Sequence, residues 1–176
     1  VRTFGRDIPL SLQPIEVRLA VEEALALVGG TLRSAGVTVD LTSSVHVPKV
    51  LADVDSLGQV FINLIANARD ALQESVPTGQ RQLAIHIGAS SGRVLVGVSD
   101  NGPGVNPDVV PRIFDPFFST KPVGHGTGLG LAISHGIVEK HGGSLRYDRA
   151  TLGGACFTVM LPVYHNPANH NPASPA

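Results

Sequence analysis

The chain has 176 residues, 43% hydrophobic and 15% charged, with a formal net charge of −1 and a single cysteine. That balance describes one folded domain with enough apolar residues for a sizeable core, and it excludes a disordered chain. It also excludes a basic nucleic-acid binder, an internal disulfide and a cysteine zinc site, and the lone thiol fits a reducing, cytoplasmic compartment.

The first residue is Val, so a fragment of a longer protein is expected, and no apolar run approaches the roughly 20 residues needed to cross a bilayer. Residues 1–14 read as the end of a preceding segment and a linker through Pro9 and Pro14. Three-to-four spacing of Val17, Ala20, Val21, Ala24, Leu25 and Val28 predicts a helix over 15–34. A short strand follows over 36–44, then a second helix over 54–74. Alternation predicts strands over 82–90 and 93–100, joined as a hairpin across Ser91-Gly92. Residues 101–126 are irregular and rich in Gly and Pro, with one helical turn near Val109. A loop that long inside a compact domain is usually functional. A third helix over 129–141 stops at Gly142-Gly143, and strands over 143–149 and 155–162 close the domain. The proline-rich stretch 164–176 reads as a disordered tail. The expected fold is a two-layer α/β sandwich: a mixed sheet of about five strands covered on one face by about three helices.

The second helix faces two ways. Val54, Leu57, Phe61, Leu64, Ile65, Ala68 and Leu72 gather on one side, while Asn63, Asn67, Asp70 and Glu74 form a stripe on the other. Asn costs a helix roughly half a kcal/mol relative to Ala, and a plain solvated face would use Lys, Glu or Gln. Amide and carboxylate oxygens aimed one way suit a Mg²⁺ ion that keeps most of its water and carries phosphates.

In the strand over 93–100, Val94, Val96, Val98 and Asp100 share one face, which delivers a carboxylate to the rim where helix and sheet part. There it can accept a hydrogen bond from an exocyclic amino group such as N6 of adenine. Gly102 and Gly104 let the backbone approach a flat ring. Gly124, Gly126, Gly128 and Gly130 precede and enter the third helix, whose N-terminal N–H groups and dipole suit phosphate. Neither a GxxxxGK[ST] loop nor a dinucleotide fingerprint is present. Between these motifs, Phe114, Phe117 and Phe118 are expected to anchor a lid from which Lys121 reaches the phosphates.

Four ordered motifs, "QVFINLIANARDAL", "DNGPGV", "IFDPFFSTK" and "GHGTGLGLAIS", followed by "IVEKHGGSL" and "GGACFTVMLP", resemble the catalytic ATP-binding domain of bacterial sensor histidine kinases. The resemblance covers residues 15–163 and is closest to the nitrogen-regulation and dicarboxylate-sensing kinases. It implies a Bergerat-type fold shared with gyrase, chaperone and mismatch-repair ATPases, and ATP and Mg²⁺ as ligands. It implies Asn67 as the metal ligand with Asn63 in support, Asp100 on adenine N6, and Gly102 and Gly104 admitting the ring. Gly126, Thr127, Gly128, Leu129 and Gly130 would offer the phosphates their backbone amides, and Lys121 would close from the lid. Asp70 replaces a basic residue common in such kinases, and its role is open. Position 63 lacks the glutamate base of the hydrolysing relatives, so slow hydrolysis is expected. None of the seven histidines is followed by an acid, so the phosphoacceptor is expected on a dimerising helical hairpin outside this chain. The implied partners are that hairpin and a response regulator receiver domain. The fragment is expected to be monomeric and cytoplasmic, with a homodimeric parent whose attachment to the inner membrane the sequence leaves open. The alternatives are a nucleotide-binding module that transfers nothing and an energy-coupling ATPase.

Overall fold

A computed structural model describes residues 9–120 and 128–167. In chain order the elements are β1 (Gln13–Ile15), α1 (Val17–Ser34), β2 (Val37–Ser43), β3 (Val50–Ala52), α2 (Val54–Ser75), β4 (Arg81–Ser90) and β5 (Arg93–Asp100). A short 3-10 turn (Val110–Arg112), α3 (Gly130–Lys140), β6 (Ser144–Arg149) and β7 (Ala155–Pro162) complete them. Five strands form one mixed sheet in the order β2-β4-β5-β7-β6, with β2 parallel to β4 and the other pairs antiparallel. The three helices pack on one face of it. This is the expected two-layer sandwich, and the 3-10 turn falls where the sequence placed a helical turn.

Strand alternation builds the core. Leu83, Ile85 and Ile87 of β4, Val94, Val96 and Val98 of β5, and Phe157, Val159 and Leu161 of β7 all point into the helix layer. They meet Val17, Val21 and Ala24 of α1 and Leu57, Phe61, Leu64, Ile65 and Leu72 of α2. Each such side chain, fully buried, contributes about 1.5–3 kcal/mol. The opposite face of the sheet carries short or polar groups, among them Thr42, whose hydroxyl lies 2.9 Å from Nδ1 of His86.

Two short strands escape the sequence patterns. Gln13–Ile15 pairs antiparallel with Val50–Ala52 in a separate two-stranded sheet. Ile15 is therefore in β1, and α1 begins at Val17, two residues later than the periodicity suggested. Pro14 fixes an extended backbone just before the helix, and three-residue strands are too short to show a period. The backbone N–H of Ser11 donates to Asp53 at 2.8 Å, so this leading segment belongs to the folded body. At the other end, Tyr164 donates its N–H to the carbonyl of Lys49 at 2.7 Å, and the expected tail beyond residue 167 lies outside the described residues.

Helix ends are tied by side chains that also set the sheet. Asp53 caps α2 by accepting the N–H of Ser56 at 2.9 Å. Arg81, the first residue of β4, donates to the carbonyls of Val76, Ala35 and Gln73 at 2.8, 2.5 and 3.3 Å. One guanidinium thus satisfies carbonyls at the C-terminal ends of both α1 and α2. These ties fix α2 against the sheet, and α2 carries the amide stripe.

Candidate functional site

Where α2 and α3 diverge above the ends of β5 and β7, a cavity of about 410 Å³ opens. Its walls come from four places. Asn67, Asp70, Ala71 and Glu74 belong to α2, and Asp100 with Pro103–Val105 to the end of β5 and its loop. Ile113, Phe118, Ser119 and Thr120 come from the segment before the lid, and Gly128, Gly130 and Leu131 from the start of α3. Ala155 and Phe157 of β7 form the floor.

Asp100 is the buried carboxylate, 3% exposed. Its Oδ1 accepts the N–H groups of Gly102 at 2.8 Å and Ala155 at 3.2 Å. Burial pushes its carboxyl above the ordinary carboxylate value, and these two donors pull it part of the way back. With both backbone donors on Oδ1, Oδ2 is the oxygen left to receive a hydrogen bond from a ligand. Gly154 must be glycine because a Cβ there would run into Oδ1. Gly104 has φ +72°, a left-handed backbone that glycine adopts without strain.

The stripe on α2 divides. Asn67, Asp70 and Glu74 reach the cavity wall, but Asn63 does not. Its Nδ2 donates to the carbonyl of Gly130 at 3.3 Å and the buried hydroxyl of Ser134 at 3.2 Å, binding α2 to α3. Asn67 makes no side-chain hydrogen bond among the described residues, so its amide oxygen is available to a ligand. Asp70 takes two bonds from the Arg69 guanidinium, at 2.6 and 3.0 Å. No group of three His, Cys, Asp or Glu able to hold a metal exists among the described residues. A cation here would rest on one amide oxygen plus oxygens of the ligand and water, the coordination Mg²⁺ favours beside phosphates. The residues present fit that ion.

Leu129 stands at the N-cap of α3 and gives the first turn no side-chain cap, and a helix start of that kind suits an anion. Gly128 and Gly130 line the cavity on either side of this N-cap residue. Lys121, Gly126 and Thr127 lie outside the described residues.

The aromatic anchor is partly corrected. Phe114 packs on Phe157 and His135, with centroids 6.4 and 5.1 Å apart, and Phe118 lies in the cavity wall under the Arg112 guanidinium at 4.6 Å. Phe117 is 77% exposed and adopts φ 65°, so it anchors nothing by burial. Its contribution is backbone: its N–H donates to the carbonyl of Gly128 at 3.0 Å, tying the phenylalanine segment to the start of α3. The sequence did not single out Ala155 or Phe157; the only signal was Gly153-Gly154 before a strand.

The profile of the histidine kinase-, DNA gyrase B- and HSP90-like ATPases matches residues 52–165. The chain is 42% identical over 163 residues to the two-component sensor PprA of Pseudomonas aeruginosa, which covers 91% of this chain and 18% of that protein. It is 36% identical over 155 residues to the sensor histidine kinase ZraS of Escherichia coli K12, covering 88% of this chain and 32% of ZraS. The C4-dicarboxylate transport sensor DctS of Rhodobacter capsulatus is 35% identical over 93% of this chain and 24% of its own length. The chain thus spans a fifth to a third of these relatives. Among solved structures, the nucleotide-free catalytic domain of histidine kinase ThkA superposes with a TM-score of 0.75 at 26% identity, covering 88% of this chain and 99% of that one. ThkA in complex with the response regulator TrrA superposes with a TM-score of 0.72 at 25% identity, covering 87% and 42%. The chain belongs to the histidine kinase-, DNA gyrase B- and HSP90-like ATPase family and is a catalytic domain of the sensor histidine kinase type.

Proposed function

We propose that this domain binds ATP with Mg²⁺ and presents the γ-phosphoryl group to a histidine on a helical hairpin of the same parent protein. The observation that supports it is one cavity whose wall holds both Asp100, with Oδ2 left for an adenine-type donor, and the start of α3. Asn67 of α2 lines the same cavity as Gly128 and Gly130. Asp100 accepts N6–H of the base, while Gly102 and Gly104 keep the loop close to the ring. Gly128, Leu129 and Gly130 hold the phosphates by backbone N–H, with Gly126, Thr127 and Lys121 assigned to the same task. Asn67 would hold Mg²⁺, which supplies charge neutralisation at the phosphate oxygens when bound. Asn63 supports the phosphates by fixing α3. Held donors of this kind stabilise charge as it develops on the transferred group.

Slow hydrolysis follows from the same geometry: position 63 offers no carboxylate to activate water, and its amide is engaged with Gly130 and Ser134. Residues 1–14 are read as the link to the hairpin, its last residues, Ser11 to Pro14, docked on the domain; residues 15–163 are read as the catalytic domain and residues 164–176 as a tail. No helix among the described residues is long and apolar enough to cross a membrane. The proposed setting is the cytoplasmic side of a dimeric parent. A receiver domain is the proposed downstream partner, supported by the ThkA–TrrA complex.

The deciding experiment mixes this domain, radiolabelled ATP, Mg²⁺ and a separately produced hairpin. An acid-labile, base-stable phosphohistidine on the hairpin is expected. Tight ATP binding with no label on any hairpin would leave a binding module instead.

A further inference from the structure

The loop that carries Gly102 and Gly104 is held from behind. The phenolic oxygen of Tyr147 accepts the backbone N–H of Val105 at 3.0 Å across 42 residues of sequence. A Cβ at Gly104 would stand 3.5 Å from that oxygen and 3.4 Å from the carbonyl of Gly154, so Tyr147 and Gly154 bracket the glycine. Gly154 also donates its N–H to the carbonyl of Asp100 at 3.2 Å, and the next residue, Ala155, donates to the Asp100 carboxylate. Tyr147 pairs in register with Phe157, its ring 5.4 Å from a Phe157 ring that floors the cavity. Tyr147 itself does not line the cavity; it stands behind Val105 and Phe157, which do.

We propose that Tyr147 is a positioning residue for the base end of the nucleotide site: its hydroxyl sets the height of the Gly104–Val105 backbone over the purine and thereby sets nucleotide affinity. This rests on the ATP reading above. A half-buried backbone N–H needs an acceptor, and in this loop the phenol is that acceptor. Without it the Val105 N–H turns toward water or the cavity, and the loop loses its fixed distance from Phe157. The effect is confined to the base, because the phosphates are held by α2 and α3, which Tyr147 does not contact through any hydrogen bond.

The test is Tyr147→Phe, which removes one oxygen and keeps the ring. Calorimetry with ATP·Mg²⁺ on the wild-type chain comes first; absence of binding there ends the ATP reading itself. Given binding, the variant is expected to bind ATP about three- to ten-fold more weakly, the loss of one loop hydrogen bond. Inorganic tripolyphosphate, measured by displacement of a fluorescent nucleotide, is expected to change less than about two-fold. Unchanged ATP affinity, or equal losses for both ligands, overturns the proposal. A second readout uses the absence of tryptophan and the presence of only two tyrosines. In a Tyr164→Phe background the fluorescence of Tyr147 is expected to respond to ATP and not to tripolyphosphate; an equal response to both, or none to either, overturns it.

Discussion

The imidazole of His141 accepts the backbone N–H of Asp53 on Nε2 at 3.1 Å, and its Nδ1 lies 2.8 Å from the carbonyl oxygen of Ile137. A backbone N–H only donates, so Nδ1 carries the proton and donates to Ile137. The ring thereby locks the C-terminus of α3 to the N-terminus of α2. Asp53 in turn accepts the N–H groups of Ser56 and Ser11, so one junction joins both helices and the leading segment.

That junction makes stability depend on acid. The Ser56 N–H, then the Ser11 N–H, hold the Asp53 carboxyl below its ordinary value of 3.8. A lowered folded-state value means that the stabilisation is fully present above the unfolded value and is lost as pH falls through the folded one. Denaturant midpoints of the wild type are expected to fall below about pH 4. Asp53→Asn keeps an acceptor for the cap but not the charge, so its midpoint should be flatter across that window. An identical slope would remove Asp53 from the explanation. His141→Ala, which orphans the Asp53 N–H and leaves a hole, is expected to cost about 2 kcal/mol at neutral pH.

Asp100 carries the opposite sign. Burial raises its value, so its contribution to stability is present below the unfolded value and is lost as pH rises through the folded one. Asp100→Asn removes that penalty, and Asn Oδ1 can still accept from Gly102 and Ala155. The variant is expected to melt at the wild-type temperature or above it. Its ATP affinity should nonetheless drop at least about ten-fold, because the Asn NH₂ then meets the amino group of adenine, donor against donor. Calorimetry and thermal melts on one preparation check both halves. In the wild type, ATP affinity should weaken on acidification before an ordinary Asp would protonate.

Asn67 separates metal from fold. Its side chain has no hydrogen-bond partner among the described residues, so Asn67→Ala should change stability by no more than about 0.5 kcal/mol. The Mg²⁺-dependent part of ATP affinity should vanish, leaving binding in chelator and in Mg²⁺ nearly equal. A variant that retains a normal Mg²⁺ response would put the ion elsewhere.

The two Asn of α2 show where a linear pattern stops being informative. Periodicity correctly put Asn63 and Asn67 on one face, and a helix rises about 1.5 Å per residue, so they sit only about 6 Å apart along the axis. Within that distance α3 crosses the helix: it covers Asn63 and leaves Asn67 open, which depends on the packing of a segment 67 residues away. The alternation that placed Val94, Val96, Val98 and Asp100 on one face was legible because strand period is local. The donors that orient Asp100 were not, since Ala155 is 55 residues distant and contributes only backbone. β1 and β3 were illegible for a third reason: three residues carry no period, and their pairing stabilises them only in the folded chain. Phe117 shows the converse error, where composition suggested burial and the turn required an exposed residue at positive φ.

Gly128 is where the junction of the phenylalanine segment with α3 is least forgiving. Its φ is +64°, and a Cβ there would lie 2.6 Å from the carbonyl carbon of Phe117 and 2.8 Å from the carbonyl oxygen of Phe118. Both obstacles are backbone, so neither rotates away. The carbonyl of Gly128 also receives the Phe117 N–H, so displacing it opens the ring that joins the phenylalanine segment to the α3 N-terminus. Gly128→Ala should therefore displace the first turn of α3 while the core of Val94, Val96, Phe61 and Leu64 stays packed. Expected readouts are far-ultraviolet circular dichroism within error of wild type and faster amide exchange over 128–133. ATP affinity should fall at least about ten-fold through lost amide contacts to the phosphates. Because Ala adds only a methyl, Gly128→Ser should behave alike. If either variant binds ATP as the wild type does, the phosphates are not cradled at this helix end.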